Sequence, residues 1–67
     1  MVRIKEYSLG DMVELKFQLR KPKLRGIIIQ RLGYDRDLDD FVYLVYCFTL
    51  KPAKNMHWLH WSIEKVS

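Results

Sequence analysis

The sequence predicts a small all-β domain with no substantial helix. Short apolar runs rich in Val, Ile, Tyr, Phe and Trp recur along its 67 residues, and turn-forming segments separate them. Short strands at near-regular spacing are typical of a sandwich or a barrel. A barrel is favoured at this length, because closing the sheet removes edges that would otherwise promote aggregation. We therefore expect a single domain over residues 1–67 with about five strands.

The first half of the chain predicts an arm and two strands. Residues 1–8 begin with alternating apolar and charged residues, which indicates an N-terminal strand or arm. After a turn at Gly10-Asp11, residues 13–20 alternate strictly between apolar and polar types, which predicts a strand with one buried face. Residues 26–32, with the sequence GIIIQRL, are apolar on both faces and predict a central strand. The predicted buried side chains of the first strand are Val13, Leu15, Phe17 and Leu19.

The longest apolar run, FVYLVYCFTL at residues 41–50, predicts the next strand. Its aromatic and β-branched content favours a strand over a buried helix. Alternation gives it two faces, with Val42, Leu44, Tyr46 and Phe48 on one and Phe41, Tyr43, Val45 and Cys47 on the other. Alternation does not choose between them. We expect the first set to face the core, because the second contains the weakly polar Cys47.

The segment NMHWLHW, at residues 55–61 and ending in HWLHW, predicts the following strand, and SIEKV predicts a short last one. On a strand, Trp58 and His60 share one face, while Leu59 and Trp61 share the other. We expect the second pair to close the core and the first pair to lie at the surface beside an outward-facing Tyr43. Tyr and Trp are frequent anchors of protein interfaces. The predicted protein-contact residues are therefore Tyr43, Trp58 and His60.

The order of the motifs resembles that of the SH3-like small barrels of the KOW/Tudor type. The motifs are Gly10-Asp11-Met12-Val13, then Gly26-Ile27-Ile28, then the strand 42–48, then Trp61-Ser62-Ile63-Glu64. More narrowly, the chain is similar to the very small SH3-like proteins encoded by tailed phages, including marine cyanophages. The resemblance covers roughly residues 9–66 and implies a five-stranded SH3-like barrel that is phage-encoded.

The charged residues are concentrated in two loops of opposite sign. The net charge is +4 with a pI near 9.4, and the first loop contains Arg20, Lys21, Lys23 and Arg25. Small barrels bind nucleic acid through such loops, using backbone contacts and aromatic stacking. The second loop, DRDLDD, begins like a calcium loop but has Asp40 and Tyr46 where that motif needs Gly and Glu. We interpret it as a solvated acidic loop. If the two loops project from different regions of the molecule, their opposite charges form a dipole that favours head-to-tail or hetero-association.

Several classes of function are not expected. Cys47 lies mid-strand in an apolar run, which is a poor setting for a nucleophile, and the chain has no Gly-rich phosphate loop. His57 and His60 point to opposite faces of a strand and cannot share one metal ion. No apolar run approaches the roughly 20 residues that span a bilayer. We therefore expect no catalysis, metal, cofactor, small-molecule substrate or membrane partner, and a cytoplasmic (host cell) or virion-associated location.

The expected function is that of a small non-enzymatic binding module. Its partner would be a protein, namely a host factor, a virion component or its own copies, contacted through Tyr43, Trp58 and His60. The alternative is a small nucleic-acid-binding barrel that uses Arg20, Lys21, Lys23 and Arg25.

Overall fold

The chain folds into one antiparallel β-sheet. A computed structural model describes residues 5–19 and 21–66. Its strands are β1 (Met12–Leu15), β2 (Arg25–Asp35), β3 (Asp40–Cys47), β4 (Lys54–Leu59) and β5 (Ile63–Lys65). A single 3₁₀ turn, His60–Ser62, joins β4 to β5. The predictions of an all-β fold and of five strands are confirmed. None of the described helices is long and apolar enough to cross a membrane.

The strands are ordered β4-β3-β2-β1-β5 across the sheet, and each pairs antiparallel with its neighbours. The two edge strands, β4 and β5, have one strand neighbour each, so the sheet is not closed. The β2–β3 ladder shifts register twice, between Ile28 and Gln30 and between Arg31 and Gly33. Such bulges bend a strand and increase its twist. The long strand β2 thus connects the two halves of the sheet, and closure into a barrel is not observed.

One face of the sheet carries the core. Its buried side chains are Val13, Leu24, Ile28, Tyr43, Val45, Cys47, Trp58 and Ile63. The register explains the set, because Ile28 lies opposite Val45 in β3 and Tyr43 lies opposite Trp58 in β4. Gly26 lies opposite Cys47 and leaves room for it, since a Cβ there would lie 3.2 Å from the Cys47 Cα.

The predicted inner face of β3 is wrong. Tyr43, Val45 and Cys47 are buried, while Val42, Leu44, Tyr46 and Phe48 point outward. Both faces of the run are apolar, so its composition could not decide between them. Gly26 makes room for this inward set, because a Cβ there would overlap the Val45 Cγ1, and a free Cys packs as a small hydrophobe.

The predicted first strand is too long. β1 ends at Leu15, and both Phe17 and Leu19 are exposed rather than buried. The loop between β1 and β2 begins directly after Leu15, because the Gln18 side chain donates hydrogen bonds to the carbonyl groups of Leu15 and Leu24, at 3.3 and 3.5 Å. The predicted N-terminal strand falls partly on residues 1–4, which lie outside the described residues, and residues 5–8 form no strand.

Candidate nucleic-acid interface

The predicted aromatic contact patch is not on the surface. Tyr43 is 0% exposed and Trp58 is 4% exposed, because the two side chains pair across β3 and β4 on the inner face. The Trp58 Nε1 is buried and has no hydrogen-bond partner within the described residues. HWLHW therefore has the opposite orientation to the one predicted, with Trp58 in the core and Trp61 56% exposed. Tyr43 and Trp58 cannot anchor a partner.

His60, the third predicted contact residue, is half-buried in an aromatic cluster. Its Nδ1 lies 2.8 Å from the Tyr43 hydroxyl, and its ring stacks on that of Tyr7 at 4.8 Å between centroids. The Tyr7 backbone N–H donates to the same hydroxyl at 3.1 Å, and the Tyr7 hydroxyl donates to the Ile63 carbonyl at 3.3 Å. The cluster fastens the segment before β1 onto the sheet, which is a structural role.

The hydroxyls of this cluster are held in their protonated form. Burial is the main cause that raises the pKa of Tyr43 above its ordinary value, and the N–H donated by Tyr7 only partly opposes it. Burial likewise raises the pKa of Tyr7, with Glu64 and Asp11 adding to the shift through their negative charge. Both phenols therefore stay protonated at neutral pH, and neither offers a phenolate as base or nucleophile.

The acidic loop has a structural explanation. The Asp35 carboxylate accepts the N–H groups of Asp37 and Leu38, at 2.9 and 3.1 Å, which forms the turn between β2 and β3. Asp40 is buried and accepts the N–H groups of Phe41 and Trp61, at 2.8 and 2.9 Å, so it attaches the 3₁₀ turn to β3. No group of three or more His, Cys, Asp or Glu side chains suited to a metal ion occurs in the described part of the chain.

The basic loop forms one wall of a shallow cleft of about 540 Å³, named here the basic cleft. Two hydrogen bonds join this loop to the turn after β3. The Arg25 N–H donates to Thr49 Oγ1 at 3.1 Å, and the Thr49 hydroxyl donates to the Arg25 carbonyl at 3.4 Å. The cleft is lined by Glu14, Lys21, Pro22, Lys23, Arg25, Phe48 and Thr49. Three of the four predicted cations therefore converge there, and Arg20 lies outside the described residues.

Glu14 partly neutralises the basic cleft. Its carboxylate lies 2.7 Å from the Arg25 Nε and 3.8 Å from the Lys23 Nζ. Glu14 comes from β1, directly opposite Arg25 in the sheet register, and its side chain is 12% exposed. It holds the Arg25 guanidinium in one orientation at the cleft. Among the described ion pairs, none joins the basic loop to the acidic loop, as the separate projection of the two loops predicts.

An aromatic surface continues from the basic cleft along β3. Phe48, the first residue of the turn after β3, lines the cleft and is 40% exposed, and Tyr46, two residues earlier in β3, is 42% exposed. Tyr46 lies opposite Ile27, which is two residues from Arg25 on the same face of β2. Sequence reasoning missed Phe48 and Tyr46 because it placed them inside. Their spacing of two residues predicted that they share one face, but it did not predict whether that face is buried or exposed.

A second aromatic surface lies at the β1–β5 side of the molecule. The rings of Phe17 and Trp61 are 5.3 Å apart between centroids, and both are exposed. The Lys16 N–H donates to the Ser62 carbonyl at 2.9 Å, which brings the loop after β1 next to the 3₁₀ turn. These two rings form the Phe17–Trp61 patch.

Comparison with known proteins gives no match, whether against protein-family models, curated proteins or solved structures.

Proposed function

We propose that this protein is a small non-enzymatic module that binds nucleic acid at the basic cleft. The observation that supports the proposal is the convergence of Lys21, Lys23 and Arg25 with Phe48 and Thr49 around one open depression. Cations beside a hydroxyl and an aromatic ring are the groups that bind a sugar-phosphate backbone. The net charge of +4 favours the same partner through long-range attraction.

The form of the cleft favours a polymer over a small molecule. Its cations come from an exposed loop and an exposed strand end, and the side chains of Lys23 and Arg25 are 39% and 48% exposed. Pockets for small ligands normally enclose most of the ligand surface. An open cleft with a charged rim instead suits an extended chain of phosphates that passes across it.

Glu14 sets the affinity of the cleft in this proposal. Its carboxylate competes with a phosphate for Arg25 and Lys23, and a surface ion pair is worth up to about 1 kcal/mol. The substitution Glu14→Gln keeps a hydrogen-bond acceptor beside Arg25 and removes the competing charge. We expect it to tighten binding by about 2- to 5-fold. Weaker binding would mean that the carboxylate serves mainly to orient Arg25.

A salt titration with short DNA and RNA tests the proposal. Three phosphate contacts give a slope of about −2 in log affinity against log salt for a single strand, and each lost contact reduces it by about 0.7. We expect Lys21→Gln to reduce the slope by that amount. The matched control is Arg36→Gln, which removes an exposed cation from the acidic loop and should leave the slope unchanged. Equal effects of the two variants would refute a specific role for the cleft.

Protein contact is the second candidate, and the Phe17–Trp61 patch supports it. Two exposed aromatic rings in contact with each other form the kind of apolar surface that marks interfaces. This candidate keeps the expected partners, a host factor, a virion component or a second copy, but not the contact through Tyr43 and Trp58. Self-association is tested by sedimentation of the wild type and Trp61→Ala. A wild type that stays monomeric at high concentration would leave only a different protein as partner.

A further inference from the structure

We infer that the nucleic acid is single-stranded and that its unpaired bases stack on Tyr46 and Phe48. The inference rests on the proposed binding at the basic cleft, and it adds the protein groups that would contact the bases beside the phosphates. Phe48, the first residue after β3, is itself part of the cleft wall, and Tyr46 is an exposed residue of β3 two positions earlier. Residues two apart along an extended chain lie at most roughly 7 Å apart, so two rings at these positions are close enough to take neighbouring bases.

The two rings differ from every other Phe and Tyr of the chain. The remaining five each lie against another aromatic ring: Tyr7, Phe17, Tyr34, Phe41 and Tyr43. In the described structure, Tyr46 and Phe48 belong to no aromatic pair, and both are about two-fifths exposed. Neither ring therefore stabilises the core or a turn by packing against another aromatic ring. A large ring held at the surface by a rigid strand is available to a ligand.

Charge selects the ligand among those that an aromatic surface could take. Arg25 begins β2, two residues before the Ile27 that pairs with Tyr46, and Lys21 and Lys23 line the basic cleft together with Phe48. A partner must therefore present negative charge and flat apolar rings at neighbouring positions. Single-stranded nucleic acid has this combination, because its phosphates follow the chain and its bases are free to stack. In a duplex the base faces are covered by their neighbours, and only the base edges are accessible.

The test compares three ligands of about 12 nucleotides, a length within the usual site size of a small barrel. They are a single strand, the corresponding duplex, and an abasic strand with the same number of phosphates. Binding is measured by fluorescence anisotropy for the wild type, Tyr46→Ala and Phe48→Ala. The control is Tyr34→Ala, which removes an exposed ring near the far end of β2. Circular dichroism confirms that each variant is folded, and Tyr46→Trp provides a conservative replacement that keeps a stacking ring.

The expected result is selective loss of affinity for the strand with bases. Each alanine variant should weaken single-strand binding by roughly 5- to 150-fold, the range for loss of one base–aromatic stack. Tyr46→Ala should leave binding of the abasic strand unchanged, and Phe48→Ala, at the cleft wall, should weaken it much less than it weakens binding of the strand with bases. Tyr46→Trp should bind at least as tightly as the wild type, and Tyr34→Ala should bind like it.

Three results would overturn the inference, and they separate its failure from that of the proposed function. In the first result, all three ligands bind equally and with salt dependence, and the alanine variants change nothing. This result would support binding at the basic cleft and refute base stacking on Tyr46 and Phe48. Absence of binding to every ligand would remove both. Wild-type self-association that Tyr46→Ala abolishes, without effect on nucleic acid, would assign this face to protein contact.

Discussion

The substitution Trp58→Ala tests the orientation of the HWLHW segment. Trp58 is 4% exposed and packs opposite Tyr43, so its removal opens a large cavity in the core. Trp61 is 56% exposed and lies three residues later, so Trp61→Ala is the matched control for the same change of residue.

The magnitude of the loss follows from the buried surface. A buried Trp hides about 150–250 Å² of surface, which at about 25 cal/mol per Å² corresponds to roughly 4–6 kcal/mol. The Trp58 Nε1 is buried without a hydrogen-bond partner in the described structure, so its desolvation penalty destabilises the wild type. Removing this group reduces the cost of the alanine change by about 1–3 kcal/mol. The difference is about 1–5 kcal/mol, and measured Trp→Ala changes in cores, at about 3–5 kcal/mol, place the expected cost in the upper part of that range. This is comparable to the roughly 3–5 kcal/mol that the core of so small a domain supplies.

Urea unfolding followed by circular dichroism measures the effect. We expect Trp58→Ala to be largely unfolded without denaturant, and Trp61→Ala to lie within about 0.5 kcal/mol of the wild type. Trp58→Phe should cost less than the alanine change, because it keeps a ring and removes the unpaired N–H. A stable Trp58→Ala with an unfolded Trp61→Ala would refute the reasoning and restore the surface position predicted from the sequence.

Three further changes probe the sheet and its attachments. Gly26→Ala should unfold the domain in thermal melts, because its Cβ would lie 2.7 Å from the Tyr46 carbonyl oxygen. Overpacking costs about 1–3 kcal/mol, and the cost here should be at least that large because the backbone itself must move. Asp40→Ala should cost about 1–3 kcal/mol in urea unfolding, since two backbone N–H groups, one of them that of Trp61, lose their acceptor; Asp40→Asn should cost less. The raised pKa of Tyr43 favours its protonated form in the folded state, so stability present below about pH 10 falls as the pH rises further. Tyr43→Phe should therefore show a smaller alkaline loss in urea midpoints measured on both sides of that pH, and an equal loss would contradict the assignment.

The strands could be predicted because local pattern determines them. Alternation in β1, β-branched residues in β2 and the apolar run of β3 each suit a strand before any tertiary contact is considered. The inner face of β3 could not be predicted in this way, because both of its faces are apolar. The choice depends on register with β2, where Gly26 lies opposite Cys47 and Ile28 opposite Val45.

The candidate site was predictable only in part. The cations at positions 21, 23 and 25 are close in sequence, so the basic loop was evident from spacing alone. Phe48 and Thr49 reach the cleft through the pairing of β2 with β3, which brings together residues more than 20 positions apart. Glu14 is brought to Arg25 by the β1–β2 register in the same way. Aromatic residues in HWLHW suggested a contact, but the pairing of β4 with β3 places Trp58 opposite Tyr43 in the core.

Binding of a fluorescent single strand to the wild type and to a Lys21→Gln/Arg25→Gln double variant tests the central claim most directly. Anisotropy titrations from about 50 to about 200 mM salt should weaken wild-type binding about 20-fold, as three phosphate contacts require. The double variant keeps only Lys23 of the described cleft cations, and its binding should be weak with a slope near −0.7. Absence of wild-type binding at low salt, or a double variant that binds like the wild type, would contradict the claim that the basic cleft binds nucleic acid.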